Sequence, residues 1–144
     1  MSNIETVKAV YEAFGRGDIA AITDVMADDI EWEYGMADHG VPWLRSRTGP
    51  DGAGQFFASL AGVEFHTFEP RQLLEGDDTV VALIDVSFTV KQTGALVSEE
   101  DEIHIWTFDA DGKVSRFCHK LDTHQHWLAC GADHPRQVLT EPAH

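Results

Sequence analysis

Residues 79–123, TVVALIDVSFTVKQTGALVSEEDEIHIWTFDADGKVSRFCHKLDT, decide the fold. They read as three long strands, TVVALIDVSFTV, LVSEEDEIHIWTF and KVSRFCHKLDT, with Thr93-Gly94 and Asp111-Gly112 as the turn signals between them. His104 and His119 fall on adjacent strands of this run. With even-length turns the two imidazoles point to the same side of the sheet, close enough to share a ligand.

The alternation of side chains assigns the faces. Ser115, Phe117, His119 and Leu121 lie on one side of the last strand, opposite the charged Arg116, Lys120 and Asp122, so His119 faces inward. His104 shares its face with Glu102, Trp106 and Phe108, while Ile103 and Ile105 occupy the other. Asp85 lies with Leu83, Ser87 and Thr89, a less apolar face than Ala82, Ile84, Val86 and Phe88, and periodicity puts it outside; a three-residue turn would reverse that parity. The even face of the 79–91 strand, with Ile103 and Ile105, offers a second apolar surface beyond what one cavity uses, and this predicts a homodimer through the outer sheet face.

Upstream, Ser2 and Glu5 form a capping box ahead of a helix whose stripe is Ile4, Val7, Val10, Tyr11 and Phe14. Gly15 and Gly17 end it, and Asp18 caps a second short helix. In IEWEY, residues 30–34, Ile30, Trp32 and Tyr34 alternate with Glu31 and Glu33, which predicts a strand with three large side chains inward and two carboxylates outward. The irregular segment 35–49 holds Met36, His39, Pro42 and Trp43 and is too apolar for a solvated loop; a lid over a cavity is the expectation. A third helix from about Pro50 to Leu60 presents Phe56 and Phe57, a strand follows near 63–74, and 124–128 closes the domain with a helical turn. Helices followed by hairpins predict an α+β fold, a curved, mostly antiparallel sheet wrapped around the N-terminal helices with an internal pocket. Residues 1–130 make one domain, and 131–144 an irregular C-terminal tail.

A formal charge of −15 argues against nucleic acid, whose phosphates need clustered Lys and Arg. No segment has the length of a membrane span. Cys118 and Cys130 have no metal-type spacing, and a reduced, cytoplasmic protein is the expectation. His119, Asp122, His124 and His126 alternate, but they straddle a strand end and predict no metal site. No GxGxxG or P-loop is present, and no cofactor is expected.

The order of elements, with GRGDIAAITDVMADDIEWEY, GPDGAGQFF and DGKVSRFCHKLDT, resembles the nuclear transport factor 2-like superfamily, and within it the SnoaL-like, polyketide cyclase-type branch, over roughly residues 4–128. The resemblance implies a cone-shaped α+β barrel. The three residues used by ketosteroid isomerase fall on Val10, Tyr34 and His104, all changed. The cyclases pair a histidine on the penultimate strand, here His104, with an aspartate on the last, here His119. Limonene epoxide hydrolase places acidic chemistry near Asp85. Scytalone dehydratase, with two pocket histidines and tyrosines, is the nearest analogue of His104, His119 and Tyr34.

These readings converge on a cofactor-independent acid–base enzyme of isomerase, cyclase or dehydratase type, acting on a small, largely apolar carbonyl or polyol compound. His119, His104, Tyr34 and Asp85 are the candidate catalytic residues; Trp32, Trp43, Phe57, His39, Trp106 and Phe117 are the candidate substrate contacts. The alternative is a non-catalytic module of the same fold that binds a small ligand or a protein.

Overall fold

The computed structural model describes residues 1–131, so all but the first residue of the expected tail lies outside the described residues. Helix α1 (Asn3–Gly15) begins at the capping box: the Ser2 hydroxyl accepts the Glu5 N–H, and the Glu5 carboxylate accepts the Ser2 N–H. Asp18 caps α2 (Ile19–Thr23), and α3 spans Gly49–Ser59. Gly49, at φ +77°, makes the turn into α3 from a backbone shape that disfavours other residues.

Six strands form one curved, unclosed sheet: β1 (Met26–Trp32), β2 (Arg47–Thr48), β3 (Val63–Glu75), β4 (Thr79–Val90), β5 (Leu96–Phe108) and β6 (Val114–Lys120). Their order is β2-β1-β6-β5-β4-β3, antiparallel throughout except where β1 runs parallel to β6. The edges at β2 and β3 stay unpaired among the described residues, so the cone is open. A final helix, α4 (Thr123–Ala129), is capped by Asp122, whose side chain accepts the Gln125 N–H. Among the described residues no helix is long and apolar enough to cross a membrane.

The core lies between the helices and the inner sheet face, and it is heavily aromatic. Trp32 stacks on Phe117 with ring centroids 4.1 Å apart, and Trp106 and Phe56 close around them. Such rings combine large apolar area with favoured edge and offset geometries. The segment 35–49 joins this core: Val41, Trp43 and Leu44 are buried around a 3₁₀ turn at Pro42–Leu44.

Two expectations about facing are corrected, and the outward facing that periodicity gives Asp85 holds. On β4 the even residues, Val80 to Phe88, fill the core, so the outer apolar surface is instead the cross-strand set Val81, Leu83, Ile103 and Ile105. Asp85 points outward, where its carboxylate meets Arg71 Nε at 3.0 Å and accepts the Asp101 N–H. Alternation in β1 fails after Trp32: Glu33 takes φ +54°, turns inward and is completely buried, and Tyr34 is carried to the outer side, where the Arg116 guanidinium lies 3.6 Å above its ring.

Candidate active site

His104 and His119 are direct cross-strand partners on β5 and β6, and their ring centroids are 4.6 Å apart on the inner face. Cross-strand neighbours are the closest side-chain pairs a sheet offers. The reversed Glu33 sits behind His119. One of its oxygens accepts the His119 backbone N–H at 2.7 Å, and the other pairs with Nδ1 of the ring. Among the described residues Nε2 has no hydrogen-bond partner, and it is not among the sealed polar atoms. Burial alone would lower the His119 pKa, but the charge and hydrogen bond of Glu33, helped by Glu102 and Glu99, outweigh it and hold the ring above the ordinary imidazole value.

His104 is bound on both nitrogens. The Trp106 indole N–H donates to the Tyr11 oxygen at 3.0 Å, so the Tyr11 O–H is directed at His104 Nδ1, 2.7 Å away. Nδ1 therefore accepts, and the ring proton sits on Nε2, donated to Glu102 at 2.7 Å. Burial holds His104 below the ordinary value despite the pull of Glu102, in keeping with this neutral tautomer. For Glu102, burial works upward but is outweighed by hydrogen bonding to His104 and the nearby histidine charges, and its carboxyl is held well below the usual range. Desolvation raises Tyr11, so its proton stays on oxygen.

A third chain runs alongside. The Trp43 indole N–H donates to His126 Nδ1 at 2.9 Å, and His126 Nε2 lies 2.7 Å from Glu99, whose other oxygen accepts the Asp122 N–H. It ties the 35–49 segment and α4 to β5.

Above these polar groups is a cavity of about 60 Å³ whose walls include Trp32, Trp43, Phe57, Trp106 and Phe117, with Glu102, His104, His119 and His126 at its polar end. That is ample for ordered water and less than a drug-sized ligand occupies, so a larger guest requires the half-buried rings Phe14, Phe57, Phe65 and Phe68 to shift. Tyr34, Asp85 and His39 do not line it. The His39 ring nitrogens are sealed without partners, as is Trp32 Nε1.

Sequence reasoning missed Glu33, Tyr11, Glu99 and the part played by His126. Glu102 was legible from its shared face with His104. Tyr11 sits in the helix stripe and reads as core. Glu33 had no signal, because strict alternation places it in water.

Among the described residues two groups hold metal-ligating atoms within 4.8 Å of one another: Glu102, His104 and His119, and Glu99, Glu102 and His126. A metal at either would displace existing hydrogen bonds, since both nitrogens of His104 and of His126 are engaged.

A SnoaL-like domain model matches residues 7–117. An NTF2-like protein of Burkholderia thailandensis is 27% identical at a TM-score of 0.78, with 92% of this chain and 99% of that one covered. TerC, co-crystallized with polyporic acid, is 27% identical at a TM-score of 0.66, with 88% and 96% covered. RV0760c of Mycobacterium tuberculosis, in complex with estradiol-17beta-hemisuccinate, shares the fold at 14% identity and a TM-score of 0.63, with 87% and 98% covered. No curated protein matches the chain in sequence.

Proposed function

The chain belongs to the SnoaL-like domain family, and from that premise we propose that it is a cofactor-independent acid–base enzyme of isomerase, cyclase or dehydratase type, acting on a small, largely apolar carbonyl or polyol compound. The observation that carries this reading is the buried Glu33–His119 pair with Nε2 open at the cavity. A carboxylate on Nδ1 fixes the tautomer and orientation of an imidazole and stabilises the imidazolium that forms when Nε2 takes a proton. In its neutral form His119 takes a proton from carbon next to the substrate carbonyl; Glu33 then balances the new charge. His104, bound on both nitrogens, acts by holding Glu102 and Tyr11 in place. Trp32, Trp106, Phe117 and Phe57 supply apolar walls suited to a planar ring, and the similar protein TerC was co-crystallized with a small organic acid, polyporic acid.

The enzyme works as a homodimer joined through Val81, Leu83, Ile103 and Ile105, which are half-buried on the outer face of the lone chain. A reducing compartment such as the cytoplasm suits its free Cys118 and Cys130.

The test is hydrogen–deuterium exchange at the α-carbon of 2-tetralone and 1-indanone, followed by NMR in D₂O. The protein should accelerate exchange, and His119→Ala should remove about a hundred-fold or more of the acceleration. Binding of these ketones without exchange, or an unchanged rate in His119→Ala, would replace the enzyme with the non-catalytic binding module.

A further inference from the structure

His119 keeps an unpaired nitrogen at the cavity, and two further buried donor groups lie beside it. We propose that Glu102, His104 and His119 form a site for one divalent metal ion of the zinc class. Bound there, the ion switches off the base by occupying the nitrogen that would take the proton. The effect on activity rests on the acid–base reading of His119; the site itself does not.

All three side chains are more than nine-tenths buried, and their ligand atoms lie within 4.8 Å of one another. Around a tetrahedral zinc ion, with bonds of about 2.0–2.2 Å, ligand atoms stand about 3.4 Å apart. The contact between His104 Nε2 and Glu102, now 2.7 Å, opens to admit the ion. Two imidazoles and one carboxylate suit zinc and its neighbours better than magnesium or calcium, which prefer oxygen alone. Among the described residues no lysine or arginine lines the cavity, so a divalent ion adds positive charge where the buried carboxylates of Glu33 and Glu102 have only histidine beside them.

Each histidine also has the outer partner that metal-bound imidazoles use. Glu33 holds the ring proton of neutral His119 on Nδ1, which leaves the lone pair on Nε2. Tyr11 lies 2.7 Å from His104 Nδ1. Its hydroxyl accepts as well as donates, so the His104 ring proton can move from Nε2 to Nδ1 and free Nε2 for the ion. His126 lacks this freedom. Its Nδ1 faces the Trp43 indole N–H, which only donates, so the proton of the neutral ring stays on Nε2 against Glu99. That chemistry selects the group at His104 and His119 over the neighbouring one of Glu99, Glu102 and His126. With its only free lone pair on a metal, His119 takes no proton from carbon, and removal of the ion restores the base.

Calorimetric titration of the full chain, stripped of metal and then given zinc chloride, counts the sites. The wild-type protein should bind one zinc ion at this site. His119→Ala and Glu102→Gln should each weaken binding by more than about a hundred-fold, and Glu33→Gln by about ten-fold or more. His124→Ala, a change at a surface histidine of α4, should leave it unaltered. If a variant fails to fold, ¹⁵N NMR of histidine-labelled wild-type protein reads the same site. Zinc should then shift two Nε2 resonances and move one ring proton from Nε2 to Nδ1. Absence of zinc binding overturns the inference, as does binding that survives either His119→Ala or Glu102→Gln, or a spectrum in which no ring proton moves. In activity, one equivalent of zinc should abolish the α-exchange of 2-tetralone, and a chelator should restore it; exchange that persists with the site filled overturns the switch. Zinc held by these ligands in a protein that shows no α-exchange when metal-free would sink the His119 base and leave the metal site standing.

Discussion

Two pairs of opposite charge sit on the two faces of the same sheet. On the inside, Glu33 and His119 are at 0% and 8% side-chain exposure; on the outside, Arg71 and Asp85 are at 38% and 30%. Both are held by adjacent elements at hydrogen-bonding distance. They differ in water. The outer pair loses little solvation, gains little Coulomb energy and is screened by salt. The inner pair has given up its solvation, so each partner depends on the other, and its charge state is set by its neighbours rather than by the solvent. The proposed proton chemistry is assigned to the inner pair for that reason.

Substitutions can break this contrast, and the largest effect should come from Glu33→Ala. It leaves His119 buried without its counter-charge and should cost about 3–5 kcal/mol in denaturant unfolding, whereas a loss under about 1 kcal/mol would mean that water reaches the pair. Glu33→Gln keeps the shape and should lower α-exchange of 2-tetralone about a hundred-fold with the cavity intact; an unchanged rate would reduce Glu33 to a packing role. Next in size is Tyr11→Phe, which strands the Trp106 N–H and His104 Nδ1 and should cost about 1–3 kcal/mol. Smallest is Arg71→Ala on the outer face, at most about 1 kcal/mol and less at high salt.

The pH dependence of stability sharpens the same comparison. His119 is raised on folding, so its contribution is full below the unfolded imidazole value, about 6.5, and is lost as pH rises through the folded one. His104 and Glu102 are lowered, so their contributions are present above their unfolded values and are lost as pH falls. The charged and titratable groups facing His119 are Glu33, Glu102, Glu99 and His104. Thermal unfolding should therefore show a maximum near neutrality with opposed limbs. His119→Gln should flatten the alkaline limb and spare the acid one; flattening of both would show that the two histidines titrate as one unit.

The legible parts of the chain were those where a local rule and the tertiary environment agree. The Ser2–Glu5 capping box, the Asp18 cap and the strands 79–90 and 96–108 formed as read, and the third strand formed but ended at Lys120 instead of Thr123, because hydrogen bonding, propensity and alternation pointed the same way. The facing of His119 and His104 followed from alternation along strands whose outer residues are charged or paired across the sheet. Tyr34 and Asp85 show the two ways a site reading goes astray. Asp85 was drawn toward the pocket by resemblance against its own periodicity, and periodicity was right. For Tyr34 the periodicity was clean and failed, because one residue with positive φ at a strand end reverses the parity of everything after it.

By itself, then, the sequence determined the α+β architecture, the bounds of β4 and β5 and the inward placement of two histidines, since these depend on interactions between residues near in the chain or on a period of two. Only the tertiary structure decided the partners of those histidines. Glu33 reaches His119 across 86 positions, and Tyr11 reaches His104 across 93. A buried polar atom must find a partner wherever the fold brings one, and no local pattern in the chain encodes which one that will be.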